Sequence, residues 1–244
     1  MTVYTGTMGI ASGIPNTVDE VNPTHELGEK IYTADGRAFR YVKAGETLVV
    51  SELLQGPAEA TGNQSRIVAA AAVGDKTITT TDTVTVTANE YAGGFVVVTG
   101  EASTGTGFQY RIKSHPAATG AVVTLTLEDP IQVALTATTQ VDLVKNPYKD
   151  VITNPTTSTG VIVGVAVNEI TSGQYGWVQV EGLATVQNDT NGTLTVGGTV
   201  VASGTTAGKV RLAVNGTTEA FAIVGTVVTG VAASESGAIK LSIG

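Results

Sequence analysis

The chain has 244 residues, only 14% of them charged, a net charge of −8 and a pI of about 4.7. Phosphate binding needs concentrated Lys and Arg, so this balance disfavours nucleic acid and anionic membrane surfaces as direct partners. The absence of cysteine excludes disulfides, thiolate nucleophiles and Cys-based zinc sites.

Thr and Val dominate, and both suit a pleated surface; Thr also makes a strand face polar without charge. No ten-residue stretch shows a capped 3.6-residue period, so no helix is expected. The opening MTVYTGTMGI lacks a basic segment followed by an apolar one, so no secretory signal is expected, and no apolar run approaches a membrane span.

Residues 1–50 read as an extended N-terminal arm followed by a hairpin. Pro15, Pro23 and several glycines separate isolated apolar residues: Tyr4, Ile10, Ile14, Val18 and Val21. Isolated large residues in such an arm suit packing on a neighbour better than disorder. In Glu29 to Val42, Asp35-Gly36 lies between Ile31-Tyr32 and the alternating Phe39 and Tyr41, a strong hairpin signal. Thr47 to Leu54 reads as a further short strand, and Gln55 to Gln64 as a linker.

Residues 51–149 read as a β domain. Arg66 to Val73 is a strand or a helical turn, and Lys76 to Ala88 reads as one alternating strand. Phe95 to Thr99, Phe108 to Ile112, Ala121 to Leu127, Ile131 to Leu135 and Thr139 to Val144 follow. This spacing predicts a sandwich or barrel.

Residues 150–244 read as a second β domain, after the Asn-Pro-rich stretch Lys145 to Thr159. Its centre is Gly160 to Val186. Val161, Val163, Val165 and Val167 share one face of a strand. A polar turn follows, then Tyr175 and Trp177 on a second strand; Trp177 is the only tryptophan. This hairpin reads as a packing unit, with Trp177 filling a core or a subunit contact. Asn188 to Gly192 is a turn. Thr193 to Val196, Lys209 to Val214, Ala220 to Val228 and Ala238 to Ile243 are the final strands.

No motif points to catalysis, and the chain does not read as an enzyme. His25 and His115 read as ordinary loop residues. No Gly-x-Ser-x-Gly elbow, phosphate loop or calcium spacing occurs, although Asp19-Glu20, Glu128-Asp129 and Asp189 are the densest acidic points. No catalytic residue, cofactor or metal ligand is assigned.

Three segments carry a resemblance: Tyr4-Thr-Gly-Thr with Gly13-Ile-Pro15, then Ala34-Asp-Gly-Arg-Ala-Phe-Arg-Tyr-Val-Lys-Ala-Gly45, then Ser172-Gly-Gln-Tyr-Gly-Trp-Val-Gln-Val180. Together they resemble tailed-phage capsid decoration, or cement, proteins. The resemblance implies an all-β virion protein on the outer capsid surface. Such a protein binds the major capsid protein as an oligomer, commonly a homotrimer, and reinforces the lattice. The resemblance does not fix the contact residues; the arm, with Tyr4, Ile10 and Ile14, and the first hairpin, with Phe39 and Tyr41, are the expected capsid or subunit contacts. A glycan- or receptor-binding head fibre, with Trp177 and Tyr175 lining a shallow site, is one alternative; a tail-tube component is another.

Overall fold

The computed structural model describes residues 9–10, 13–100, 104–213 and 222–243. The fold is nearly all β, with 44% strand and 2% helix, the latter as two 3-10 turns at Ile14–Asn16 and Thr61–Asn63. The chain divides into two compact units, Met1–Pro57 with Pro147–Gly244, and Ala58–Asn146. The second unit is therefore inserted within the first.

The strands before the insertion are β1 (Gly9–Ile10), β2 (Val18–Asp19), β3 (Lys30–Thr33), β4 (Ala38–Lys43) and β5 (Leu53–Gln55). The inserted unit holds β6 (Arg66–Ile67), β7 (Thr77–Thr79), β8 (Val84–Val86), β9 (Phe95–Val98), β10 (Gln109–Ser114), β11 (Ala118–Ala121), β12 (Thr124–Leu127) and β13 (Gln140–Val144). The chain then returns with β14 (Ile152–Thr153), β15 (Ile162–Ala166), β16 (Tyr175–Gln187), β17 (Thr199–Ala202), β18 (Val210–Leu212), β19 (Ile223–Val227) and β20 (Ser236–Ser242).

In the larger unit every sheet contact leads to β16, a strand of 13 residues. Its first half pairs with β4 on one edge, and with β2 and β15 on the other. Its second half pairs with β20. The first half belongs to a ring running β4, β16, β15, β5 and β14, which the bridge between Ala44 and Val151 returns to the end of β4. The second half belongs to a ring running β16, β20, β19, β17 and β18, which the bridge between Asn188 and Val210 returns to the end of β16. Closing a sheet in this way removes open edges. Each ring has its own core. Val42, Leu48, Leu54, Val163 and Val178 fill the first; Val186, Val200, Val224, Ile239 and Leu241 fill the second.

One strand serves two rings because it bends. Gln179 pairs with Phe39 and Glu181 with Ala38, so Val180 is the extra residue of a β-bulge. Gly182 follows at φ 84°, a conformation that L residues with a Cβ rarely adopt. A Cβ there would lie 2.9 Å from both Arg37 Cα and Gly36 O. The buried Gln179 side chain spans the bend, its Nε2 donating to Glu181 O at 3.0 Å and Leu183 O at 2.8 Å. Lys30 pairs with Glu181 beside it.

The inserted unit orders its main sheet β6, β13, β9, β10, β12, β7. A bridge between Val68 and Thr80, with Thr81 N donating to Ile67 O at 2.8 Å, brings the first and last strands together. Val68, Ile78, Val96, Ile112, Leu125 and Val141 fill the interior, and the separate β8–β11 ribbon adds Val84, Val86 and Ala118.

Several sequence expectations change. Lys76 to Ala88 is two strands, β7 and β8, in different sheets, because a turn at Thr81 to Thr83 redirects the chain. Ala121 to Leu127 divides between β11 and β12, and β11 begins earlier, at Ala118. Ile131 to Leu135 and Thr193 to Val196 form only isolated bridges, at Leu135 and Leu194. Thr199–Ala202 pairs as β17 where no strand was expected. The hairpins around Asp35-Gly36 and Gly173 form as expected.

Candidate functional site

The densest constellation of aromatic and ionisable groups lies on the face of β4 and β16 that points away from the first ring. Alternation explains the placement. Val42 and Val178 face the ring core, so Phe39, Tyr41 and Trp177 face the other way. Trp177 and Tyr41 are direct cross-strand partners, with ring centroids 5.0 Å apart at 60°. Tyr175 sits one pair further along and stacks on Tyr41 at 6.1 Å and 9°. Such pairs stabilise a sheet by about 0.5–1.5 kcal/mol beyond area burial.

Residues 13–29 cover this face. β2 pairs with Tyr175 and Gly176. His25 packs edge-on against Trp177 at 4.9 Å and Tyr41 at 5.3 Å, and its Nδ1 lies 3.2 Å from Glu29 Oε2. The Tyr41 hydroxyl donates to Asp19 Oδ2. Thr24 Oγ1 donates to the same oxygen at 2.7 Å. Gly28 N donates to Tyr41 O at 2.8 Å, and Arg40 Nη1 to Gly28 O at 2.8 Å. The Arg40 guanidinium lies over the Tyr148 ring at 5.1 Å.

The electrostatics are those of a fastening. The Tyr41 hydroxyl bond, followed by the Thr24 bonds, holds the Asp19 carboxyl below its ordinary value. Burial, reinforced by the bond to Asp19, pushes the Tyr41 phenol up to about 12. Near neutral pH Tyr41 therefore keeps its proton and Asp19 stays ionised, so each is set far from the range that general acid–base exchange requires. Trp177 Nε1 is buried without an acceptor among the described residues.

The expected contact residues divide. Tyr4 lies outside the described residues, and of Ile10 and Ile14 only the backbone is described. Phe39 and Tyr41 have no exposed surface. They pack with Ile31 and Trp177 in the chain's own aromatic layer. Trp177 is 1% exposed and Tyr175 half-buried; Trp177 is enclosed rather than lining a shallow surface. Sequence reading took His25 for an ordinary loop residue, assigned Asp19 no role and did not single out Thr24; the fold brings all three to Tyr41 and Trp177. Their separation follows no strand period, so no local pattern marks them.

Two further polar clusters are built into loops. In the inserted unit, buried His115 accepts from Tyr91 N at 3.0 Å through Nε2, and its Nδ1 lies 2.9 Å from Pro116 O, which fixes the proton on Nδ1. Asn63 Nδ2 donates to the Tyr91 hydroxyl at 2.7 Å. In the larger unit, buried Asp189 accepts from Ser203 Oγ at 2.8 Å, Thr205 Oγ1 at 3.2 Å and Asn191 N at 2.8 Å. Among the described residues no group of three or more His, Asp or Glu is placed to hold a metal ion.

Comparison with protein-family models, curated proteins and solved structures found no match to this chain.

Proposed function

We propose that this chain is a structural virion protein that binds the outer surface of a tailed-phage capsid and cements the lattice. Its partners on this reading are the major capsid protein and further copies of itself, assembled as a homotrimer. The observation that carries the proposal is a convergence. The segments bearing the resemblance, Ala34 to Gly45 and Ser172 to Val180, are far apart in sequence. Yet Ala38 to Lys43 pairs in register with Tyr175 to Glu181, and Gly13 to Pro15 begins the segment laid across that pair. Among the described residues, the resemblance thus falls on one strand pair and the segment beside it.

Two physical features favour the same role. A net charge of −8 suits an outer surface better than contact with packaged DNA. Strands spent on closing rings leave few open edges, which suits a protein held at high local density on a particle. The test is binding of the purified chain to capsids that lack it. Co-sedimentation with capsids, and a higher temperature of DNA release in the decorated particles, is the expected result. Capsids that sediment without the chain would overturn the proposal.

A further inference from the structure

We infer that residues 13–29 are a releasable strap, and that its opening uncovers the aromatic face of Trp177 and Tyr41 while both rings of the larger unit stay closed. Four observations carry this.

The strap is bounded by glycines at positive φ, Gly13 at 126° and Gly28 at 89°. Such residues absorb backbone rotation at little steric cost. The strap also buries little of itself. Most of its described side chains are exposed; Pro15 is buried, and Val18, Asp19, His25 and Leu27 are half-buried. Its release therefore exposes little apolar surface from the strap side.

Its attachment combines the His25 and Leu27 packing on the aromatic layer and Val18 on the ring core with polar bonds. A two-residue ladder joins β2 to β16. Asn168 Nδ2 donates to Asn16 O at 3.1 Å. Asp19 gathers the bonds of Tyr41 and Thr24. Trp177 Nε1, on the aromatic face, is buried with no acceptor among the described residues. A buried donor left unmade opposes the closed state, and water satisfies it once the strap lifts. The interactions that must survive lose little when it lifts: β4 and β16 remain paired, and Val42 and Val178 keep Leu48, Leu54 and Val163 as neighbours, the strap withdrawing only the half-buried Val18 from that core.

The strap thus converts a sealed aromatic layer into an exposed one at less cost than unfolding the unit. The experiment is hydrogen exchange of the full chain with peptide-level readout, alongside acrylamide quenching of Trp177, for the unaltered protein and Asp19→Asn. Strap amides are expected to exchange well ahead of those in β16 and β20. Asp19→Asn, which replaces charge-assisted bonds with neutral ones, is expected to speed strap exchange by about ten- to a hundredfold. Trp177 should become more quenchable, with β20 unchanged. If the substituted chain does not fold, Thr24→Ala removes a single donor and gives the milder version of the same result. Exchange of the strap in step with β16 and β20, or equal acceleration of strap and β20 by either substitution, would overturn the inference.

Discussion

Gly182→Ala tests the bend that lets one strand serve two rings. At φ 84° an added Cβ costs about 1–2 kcal/mol in backbone strain alone. It would also sit 2.9 Å from Arg37 Cα and Gly36 O, both backbone atoms that cannot swing aside. Forcing that approach adds about 1–3 kcal/mol, for a total of about 2–5 kcal/mol. Gly36→Ala is the matched control. Its φ is 83°, but nothing lies within 4 Å of the position a Cβ would take, so it should cost only the strain of about 1–2 kcal/mol. Urea unfolding followed by Trp177 fluorescence reads the larger unit, which holds the only tryptophan. With a slope of about 2 kcal/mol per molar, Gly182→Ala should lower the midpoint by about 1–2.5 M, and Gly36→Ala by about 0.5–1 M. Equal midpoints for the two variants would refute the close approach at Gly182, and with it the bend as drawn.

Trp177→Ala should destabilise the larger unit by about 3–5 kcal/mol. Trp177→Phe should cost less than about 2 kcal/mol, because it removes the unsatisfied N–H along with the lost volume; calorimetry reads both. His115→Ala leaves Tyr91 N–H without its acceptor and should cost the inserted unit about 1–3 kcal/mol. The transition reported by Trp177 should not move, and a matching shift there would show that the two units unfold together. The pH dependence follows from Asp19 and Tyr41. Asp19 is lowered, so its contribution is present above the ordinary 3.8 and fades as pH falls through its lower folded value. Tyr41 is raised, so its contribution is complete below 10.0 and is lost as pH rises towards about 12. Tyr41→Phe should flatten the alkaline loss in a plot of urea midpoint against pH; an unchanged slope would place that loss elsewhere.

Much of the fold was legible wherever a strand alternates over four or more residues and ends in a recognisable turn. Asp35-Gly36 marked the first hairpin, and the valine run marked the strand that pairs with β16, although its valines do not share one face: a bulge between Ile162 and Gly164 leaves Val161 exposed and sends Val163 and Val165 into different cores. The period of two separates faces but does not choose partners. It placed Phe39, Tyr41 and Trp177 on strands without revealing that they meet, or that residues 13–29 cover them. Ring closure rests on single bridges, such as Ala44 with Val151 and Val68 with Thr80. One bridge leaves no periodic trace. The continuous alternation of Lys76 to Ala88 concealed a turn, because Thr81 and Thr83 suit a strand face and Asp82 alone signals a bend. The site was less legible still. Asp19 and Tyr41 are 22 positions apart, and the carboxylate acquires its role only from tertiary packing.

The central functional claim is a position on a particle. Cryo-electron microscopy of the virions proposed to carry this chain tests it directly, by fitting the two β units into the reconstruction. The account predicts density for both units on the outer face of the capsid, repeated with the lattice and grouped in threes. Density confined to the tail, or a capsid surface with no feature that fits either unit, would contradict it.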